Sequence, residues 1–306
     1  MHGVSTPPFI AIPDGVAQVV PPQAPLPLLL AEPAGLPGAE SAAQPRGDVV
    51  LVPGFTGAKE DFISLVRPLA DLGWRVAGID LPGQGGAPPL GDRGSYTETA
   101  LAAAVLGVLD WLAPDRPVHV VGHSMGGLAT RGLVLEHAGR LASWTAMSSG
   151  PSAVPARTQP PLMSLQSSLD AGAPLEVIWQ FKEAGDRAKG WNPPSDEVAE
   201  FCHRRFVTND PASLYDYADL LRTAPDRTEQ VAAAARVAGL PLGVVTGEVD
   251  DTWTAGVQRD MAGRLGATWI ELPGIGHNPG VEDPQLTASA LDRIFGSVPI
   301  PMPDQV

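Results

Sequence analysis

Residues 117–128 read PVHVVGHSMGGL, and this stretch decides the fold. Its β-branched first half indicates a short buried strand, and the residues after Met125 favour a helix. Between the two, Gly122, Ser124 and Gly126 form a G-x-S-x-G pattern, which turns the chain sharply and lifts the serine hydroxyl clear of the backbone. Both glycine positions must be small because a side chain there would collide with the neighbouring strand or helix. We therefore expect Ser124 to be a nucleophile, with the Met125 amide pointing to where an oxyanion would form.

Strands and helices alternate on both sides of this stretch. Apolar runs predict strands at Asp48–Val52 and Trp74–Ile79 before it and at Trp144–Met147 after it. Such alternation is typical of a parallel sheet covered by helices on both faces, with functional loops at the carboxyl ends of the strands. The expected fold class is therefore α/β, with a doubly wound, mostly parallel sheet.

The chain before the central stretch carries two further predicted features. Residues 1–46 are rich in proline and contain two possible edge strands, at Gln18–Val20 and Leu28–Glu32. A helix is predicted at Ser95–Leu112, with Ser95 as its N-cap and Glu98 completing a capping box.

The alternation stops after Gly150. The next 85 or so residues show no convincing strand, and their hydrophobic spacing predicts four short helices, at Met163–Asp170, Leu175–Arg187, Ser195–Phe206 and Pro211–Thr223. We interpret residues 151–235 as a helical cap inserted into a core made of residues 1–150 and 236–306. Aromatic residues concentrate in the cap, and most are expected to pack between its helices. The residues expected to form the wall of a substrate pocket are Trp179, Phe181, Tyr215 and Trp253.

Two candidate partners for Ser124 follow the cap. A serine hydroxyl is almost never ionised near neutral pH, so it needs a base within hydrogen-bond reach and a third group that orients the base. Asp250 and His277 each follow a predicted strand, so all three residues return to the same edge of the sheet. The order serine, acid, histidine is the one found in folds with this elbow. Glu248 and Asp251 are rival candidates for the acid.

The chain resembles the α/β-hydrolase family of serine esterases and lipases. The matching segments span about residues 48–295 and are PGFTG at 53–57, DLPGQG at 80–85, GHSMGG at 122–127, GEVD at 247–250 and GIGH at 274–277. The resemblance implies that Ser124 is the nucleophile, His277 the general base and Asp250 the acid that orients the base. It also implies an oxyanion hole formed by the backbone amides of Phe55 and Met125, and it gives the insert the position of the family's cap.

Two segments depart from the family's pattern. Pro53 stands where the family usually has a histidine before the oxyanion glycine, and Gln84 and Gly86 stand where it usually has a histidine and a serine. Backbone donors survive both changes, so we expect the activity to persist. We expect the geometry of these loops and the substrate preference to differ from those of other family members.

Composition limits the possible partners. With 306 residues, 44% of them hydrophobic, the chain can bury a sizeable core. A formal net charge of −14 disfavours nucleic acids and anionic membranes. The single cysteine, Cys202, excludes an intrachain disulfide, and no histidine belongs to a ligand cluster, so neither metal nor cofactor is expected. No signal peptide or membrane span is visible, so we expect a cytoplasmic protein with a small-molecule substrate, of undetermined oligomeric state.

These features predict a cofactor-independent, carboxylesterase-like serine hydrolase. It would cleave a carboxylic ester, lactone or thioester through an acyl-enzyme intermediate. An acyltransferase or a carbon–carbon bond hydrolase would use the same residues, and a ligand receptor built on this scaffold is the non-enzyme alternative. By the family resemblance, epoxide hydrolase or dehalogenase chemistry would need an aspartate at the elbow, and Ser124 argues against both.

Overall fold

An eight-stranded sheet forms the centre of the fold in the computed structural model, which describes residues 6–33 and 44–297. Its strands are β1 (Val16–Val19), β2 (Leu28–Ala31), β3 (Asp48–Val52), β4 (Arg75–Ile79), β5 (Val118–His123), β6 (Leu141–Met147), β7 (Leu242–Gly247) and β8 (Thr268–Leu272). Their order in space is β1-β2-β4-β3-β5-β6-β7-β8. The pairs β1–β2 and β2–β4 are antiparallel, and the remaining pairs are parallel. The expected α/β class with a mostly parallel sheet is confirmed.

Helices cover both faces of this sheet. They are α1 (Val66–Asp71), α2 (Glu98–Leu112), α3 (Met125–His137), α4 (Pro160–Asp170), α5 (Leu175–Ala188), α6 (Asp196–Val207), α7 (Pro211–Thr223), α8 (Thr228–Ala238), α9 (Ala255–Leu265), α10 (Pro279–Glu282) and α11 (Pro284–Phe295). Alternate residues of β3 point to opposite faces. Val50 and Val52 pack with α2 and α3, whereas Val49 and Leu51 pack with α1 and α11. All four side chains are fully buried, as expected for a strand covered on both sides.

The predicted start of α2 is wrong. The helix spans Glu98–Leu112, and its N-cap is Thr97, whose hydroxyl accepts a hydrogen bond from the amide three residues further on. Ser95 therefore caps nothing, and the predicted capping box does not form. The Tyr96 amide, just before the helix, donates a 3.2 Å hydrogen bond to the Asp216 carboxylate.

The N-terminal edge strands are present with slightly different bounds. The strand predicted at Gln18–Val20 is β1 (Val16–Val19), and the one predicted at Leu28–Glu32 is β2 (Leu28–Ala31). β6 also begins at Leu141, three residues before its predicted start at Trp144. Each strand therefore lies where the apolar pattern placed it, within a few residues.

The chain between β6 and β7 forms helices α4 to α8, and no strand is described there. The four predicted helices correspond to α4, α5, α6 and α7. The fifth, α8, packs against α3 and α9 of the core. The predicted domain boundary at residue 235 falls inside α8, and the division of the chain at residues 150 and 235 stays a prediction.

Buried polar contacts join the helices of the predicted cap to the segments after β3 and β4. Arg205 Nη1 on α6 lies 2.7 Å from Asp61 Oδ1, with both side chains less than 5% exposed. The Tyr217 hydroxyl on α7 donates a 2.7 Å hydrogen bond to the Pro82 carbonyl. Both contacts lie at the carboxyl ends of parallel strands. They attach α6 and α7 to the edge of the sheet at which β5 leads into Ser124.

Candidate active site

Ser124 lies in the sharp turn between β5 and α3. Its φ of 53° and ψ of −122° belong to a region that favours glycine. A Cβ added at Gly122 would lie 2.5 Å from the Gly126 carbonyl oxygen, and one added at Gly126 would lie 2.5 Å from the Val52 carbonyl oxygen. Real Cβ atoms do not approach so closely, so the steric reason predicted for both glycines holds.

The structure brings together the three residues that the sequence singles out. Ser124 Oγ lies 3.0 Å from His277 Nε2, and His277 Nδ1 lies 3.0 and 3.1 Å from the two carboxylate oxygens of Asp250. All three residues are less than a tenth exposed. Because an ionised carboxylate only accepts hydrogen bonds, we assign the ring proton to Nδ1, which leaves Nε2 to accept from the serine hydroxyl. This arrangement can remove a proton from Ser124.

The surroundings of Asp250 favour its charged form. The Thr252 amide donates to Oδ1 over 2.9 Å, and the Gln258 side-chain amide donates to Oδ2 over 3.0 Å. Burial raises the pKa of Asp250, but the hydrogen bond and charge of His277, helped by these two donors, hold the pKa below its ordinary value. The carboxylate is therefore ionised at neutral pH. The rival Glu248 lies in a different contact, where it accepts a 2.8 Å hydrogen bond from the Gly274 amide.

The backbone around His277 is held by two residues that sequence reasoning left without this role. The Glu282 carboxylate accepts hydrogen bonds from the amides of Gly276 (2.7 Å) and Asn278 (2.9 Å). His123 Nε2 lies 2.8 Å from the His277 carbonyl oxygen. Burial, and then repulsion from His277, lower the pKa of His123 to about 4, so its ring is neutral at pH 7 and donates this bond. For Glu282, its position one helical turn after Asn278 is the sequence signal that could have indicated the contact.

The loop after β3 packs directly on the serine. A Cβ added at Gly54 would lie 3.0 Å from Ser124 Cβ, so this loop and the elbow approach as closely as a glycine allows. Phe55 follows Gly54, and Met125 is the first residue of α3, where an amide has no partner within its own helix. Both amides thus belong to segments that border Ser124, and their role in an oxyanion hole stays a prediction.

Gln84, one of the two departures from the family's pattern, supports this loop. It is fully buried. In the orientation that satisfies its neighbours, its side-chain oxygen accepts a 3.0 Å hydrogen bond from the Thr56 amide, and its nitrogen donates to the Gly54 carbonyl over 3.2 Å. The Gly86 amide donates a 2.9 Å bond to the buried Asp80 carboxylate. Gln84 thus holds the loop after β3 through its side chain, whereas Gly86 contacts Asp80 through its backbone amide.

The four residues predicted to line a pocket lie in different surroundings. Trp179 is 3% exposed and packs against other aromatic rings of the predicted cap. Phe181 is 78% exposed, which does not fit the wall of an enclosed pocket. Tyr215 lies beneath an arginine guanidinium, 3.8 Å from its ring centroid, and Trp253 is buried against Gly150. A pocket role for Trp179, Tyr215 and Trp253 stays a prediction.

Residues 6–33 and 44–297 contain neither a cluster of metal ligands nor a membrane-spanning helix. Within them, no group of three or more His, Cys, Asp or Glu side chains could hold a metal ion. None of the helices in these ranges is both long enough and apolar enough to cross a membrane.

Known proteins resemble this chain at three levels. The model of the alpha/beta hydrolase family matches residues 49–290. The chain is 38% identical over 114 residues to a 2-hydroxy-6-oxononadienedioate/2-hydroxy-6-oxononatrienedioate hydrolase of Cupriavidus pinatubonensis, and 30% identical over 166 residues to epoxide hydrolase A of Mycobacterium tuberculosis. These alignments cover 37% and 49% of this chain, and only 37% and 50% of the relatives. A thermophilic esterase from Thermogutta terrifontis superposes with a TM-score of 0.67 at 19% identity, over 92% of this chain and 98% of the esterase.

Proposed function

The chain belongs to the alpha/beta hydrolase family, and on this premise we propose that it is a serine hydrolase of carboxylic esters, lactones or thioesters. One observation carries the proposal, namely the continuous hydrogen-bonded series from Ser124 through His277 to Asp250. A nucleophile, a base and an orienting acid at these distances form the arrangement used for acyl transfer. The substrate is a small molecule with an acyl group.

In the proposed reaction, Ser124 Oγ attacks the carbonyl carbon while His277 Nε2 takes the hydroxyl proton. Asp250 stabilises the imidazolium that forms, and the amides of Phe55 and Met125 donate to the developing oxyanion. The tetrahedral intermediate then collapses, and His277 gives its proton to the leaving alcohol or thiol. Water that loses a proton to His277 next attacks the acyl-enzyme, and the proton returns to Ser124 as the carboxylic acid leaves.

Carbon–carbon bond hydrolysis is a second candidate. It is favoured by the 38% identity to a hydrolase whose name specifies 2-hydroxy-6-oxo dienedioates. The same serine, histidine and aspartate would serve, because fold and site do not specify the bond that is cleaved. Epoxide opening is disfavoured, since the elbow residue is Ser124 where the family resemblance implies an aspartate for that chemistry.

Covalent labelling tests the proposal. A fluorophosphonate probe should add one label per chain, and Ser124→Ala should abolish it. Ser148→Ala is the matched control, because Ser148 is also buried, also has a positive φ (48°) and follows the adjacent strand β6. It should keep full labelling. Label on Ser124→Ala, or no label on the parent protein, would refute the assignment.

Turnover distinguishes the two candidate reactions. The parent protein should release p-nitrophenol from short p-nitrophenyl esters, with a burst that matches the amount of active serine. Cleavage of a 2-hydroxy-6-oxo dienoic acid at a higher kcat/KM than any ester would favour the second candidate. Labelling without turnover of either class would leave a ligand receptor as the better description.

A further inference from the structure

Gln258 on α9 is a fully buried glutamine next to the candidate triad. Its side-chain nitrogen lies 3.0 Å from Asp250 Oδ2 and 2.6 Å from the Trp253 carbonyl oxygen. An amide nitrogen carries two hydrogens, so it can donate to both acceptors at once. The donor end of Gln258 therefore joins the carboxylate to the backbone of its own loop.

The two oxygens of Asp250 are held separately. Oδ1 accepts from the Thr252 amide over 2.9 Å, and Oδ2 accepts from Gln258 over 3.0 Å. His277 Nδ1 lies almost equally far from both oxygens, at 3.0 and 3.1 Å. The final torsion of an aspartate side chain has a broad energy profile, so the plane of the carboxylate must be set by its partners. Gln258 supplies the side-chain restraint on the second oxygen.

We propose that Gln258 is a positioning residue that fixes the plane of the Asp250 carboxylate against the ring of His277. The inference rests on the proposed function, since it requires Asp250 to orient the base. A neutral donor suits this role, because a lysine in its place would cancel the negative charge that stabilises the imidazolium. A second carboxylate there would repel Asp250 unless the pair held a proton.

The Gln258→Met variant tests the loss of the donor. Methionine has a similar length and makes no comparable hydrogen bond, so the cavity stays filled. With p-nitrophenyl acetate as substrate, we expect kcat to fall about 10- to 100-fold, as for other small misplacements of a catalytic group. KM should stay within about threefold, because Gln258 does not touch the substrate in the proposed reaction. A kcat within twofold of the parent value would overturn the inference.

The Gln258→Glu variant adds a readout that a packing role would not move. At acidic pH, a protonated glutamic acid can donate its O–H to Asp250 and restore the contact. As pH rises and that proton is lost, the two carboxylates repel each other and Asp250 turns away from His277. The ratio of variant kcat to parent kcat should therefore fall as pH rises from 5 to 8. A ratio that stays constant over this range would overturn the inference, even if Gln258→Met failed to fold.

Gln166→Glu is the matched control for a new buried charge. Gln166 is 5% exposed, lies on α4 in the predicted cap, and its side-chain oxygen accepts a hydrogen bond from Arg222. The ratio of Gln166→Glu kcat to parent kcat should not change with pH.

Fluorophosphonate labelling of the parent protein distinguishes a failure of the proposed function from a failure of the role of Gln258. No label at Ser124 would refute the proposed function, whereas a labelled parent with a constant Gln258→Glu ratio would refute only the role of Gln258.

Discussion

Removing one partner of the buried ion pair between Asp61 and Arg205 should cost far more stability than removing one partner of an exposed pair of similar length. The N–O distance of the buried pair is 2.7 Å, and the two side chains are 4% and 2% exposed. At an effective dielectric constant of about 20, the attraction is about 6 kcal/mol. Removing each ion from water costs several kcal/mol, so the net value of the pair is small, but breaking it leaves one buried charge without this partner.

We therefore expect Asp61→Asn and Arg205→Met each to lower the free energy of unfolding by about 3 to 5 kcal/mol. The double variant should lose clearly less than either single variant, because no unbalanced buried charge is left. Urea denaturation followed by circular dichroism would measure all three values. Arg93→Met is the matched control, since Arg93 and Asp170 also join the segment after β4 to a helix of the predicted cap, at 2.6 Å, but are 41% and 53% exposed. It should cost less than about 1 kcal/mol.

Additive losses in the double variant would refute this reasoning, because additivity means that the two side chains do not interact in the folded state. Losses below about 1 kcal/mol in both single variants would also refute it. They would show that water reaches the pair, and that α6 does not stay closed over the segment after β3.

Two further predictions concern the triad and the acid side of the stability curve. Asp250→Asn should lower kcat by about 10⁴, as the same change does in a chymotrypsin-type triad, while Asp251→Asn stays close to the parent; the reverse result would move the acid by one residue. His119 is 4% exposed, and burial followed by the charge of Arg46 lowers its pKa to about 4. Protonation of His119 therefore favours the unfolded chain. The contribution of neutral His119 to the free energy of unfolding is complete above about pH 6.5. It is lost as pH falls towards 4, by at most about 1.4 kcal/mol per pH unit. Between pH 7 and 5, the free energy of unfolding measured in urea should therefore fall less steeply with pH for His119→Asn than for the parent. Equal slopes would contradict the lowered pKa of His119.

The parts of the structure that the sequence predicts are those set by local rules. Strand β3 can be predicted because its sequence, Asp48 followed by four apolar residues, is the run expected of a strand that is buried on both faces, as Asp48–Val52 is. The elbow is readable because Gly122 and Gly126 must be glycine for steric reasons that act within a few residues. The meeting of Ser124, Asp250 and His277 can then be predicted, because each follows a parallel strand and the carboxyl ends of those strands share one edge of the sheet.

The parts that could not be predicted depend on residues far apart in the chain. The Asp216 carboxylate, which accepts a hydrogen bond from the Tyr96 amide just before α2, lies 120 residues after Tyr96. The pair of Asp61 and Arg205 spans 144 residues. Gln258 is only eight residues from Asp250, but its contact requires the first turn of α9 to fold back on the loop, and no periodicity encodes that geometry.

The backbone conformation of Ser124 lowers the stability of the fold, whereas its hydroxyl is needed for the proposed reaction. A residue with a side chain in such a region costs on the order of 1 to 3 kcal/mol, which glycine would largely avoid. A chain shaped by stability alone would therefore place glycine between His123 and Met125. Serine persists there at the expense of a noticeable part of the stability margin that a domain normally has. If the proposed function is correct, Ser124→Gly should gain stability and lose the reaction that the hydroxyl is proposed to perform.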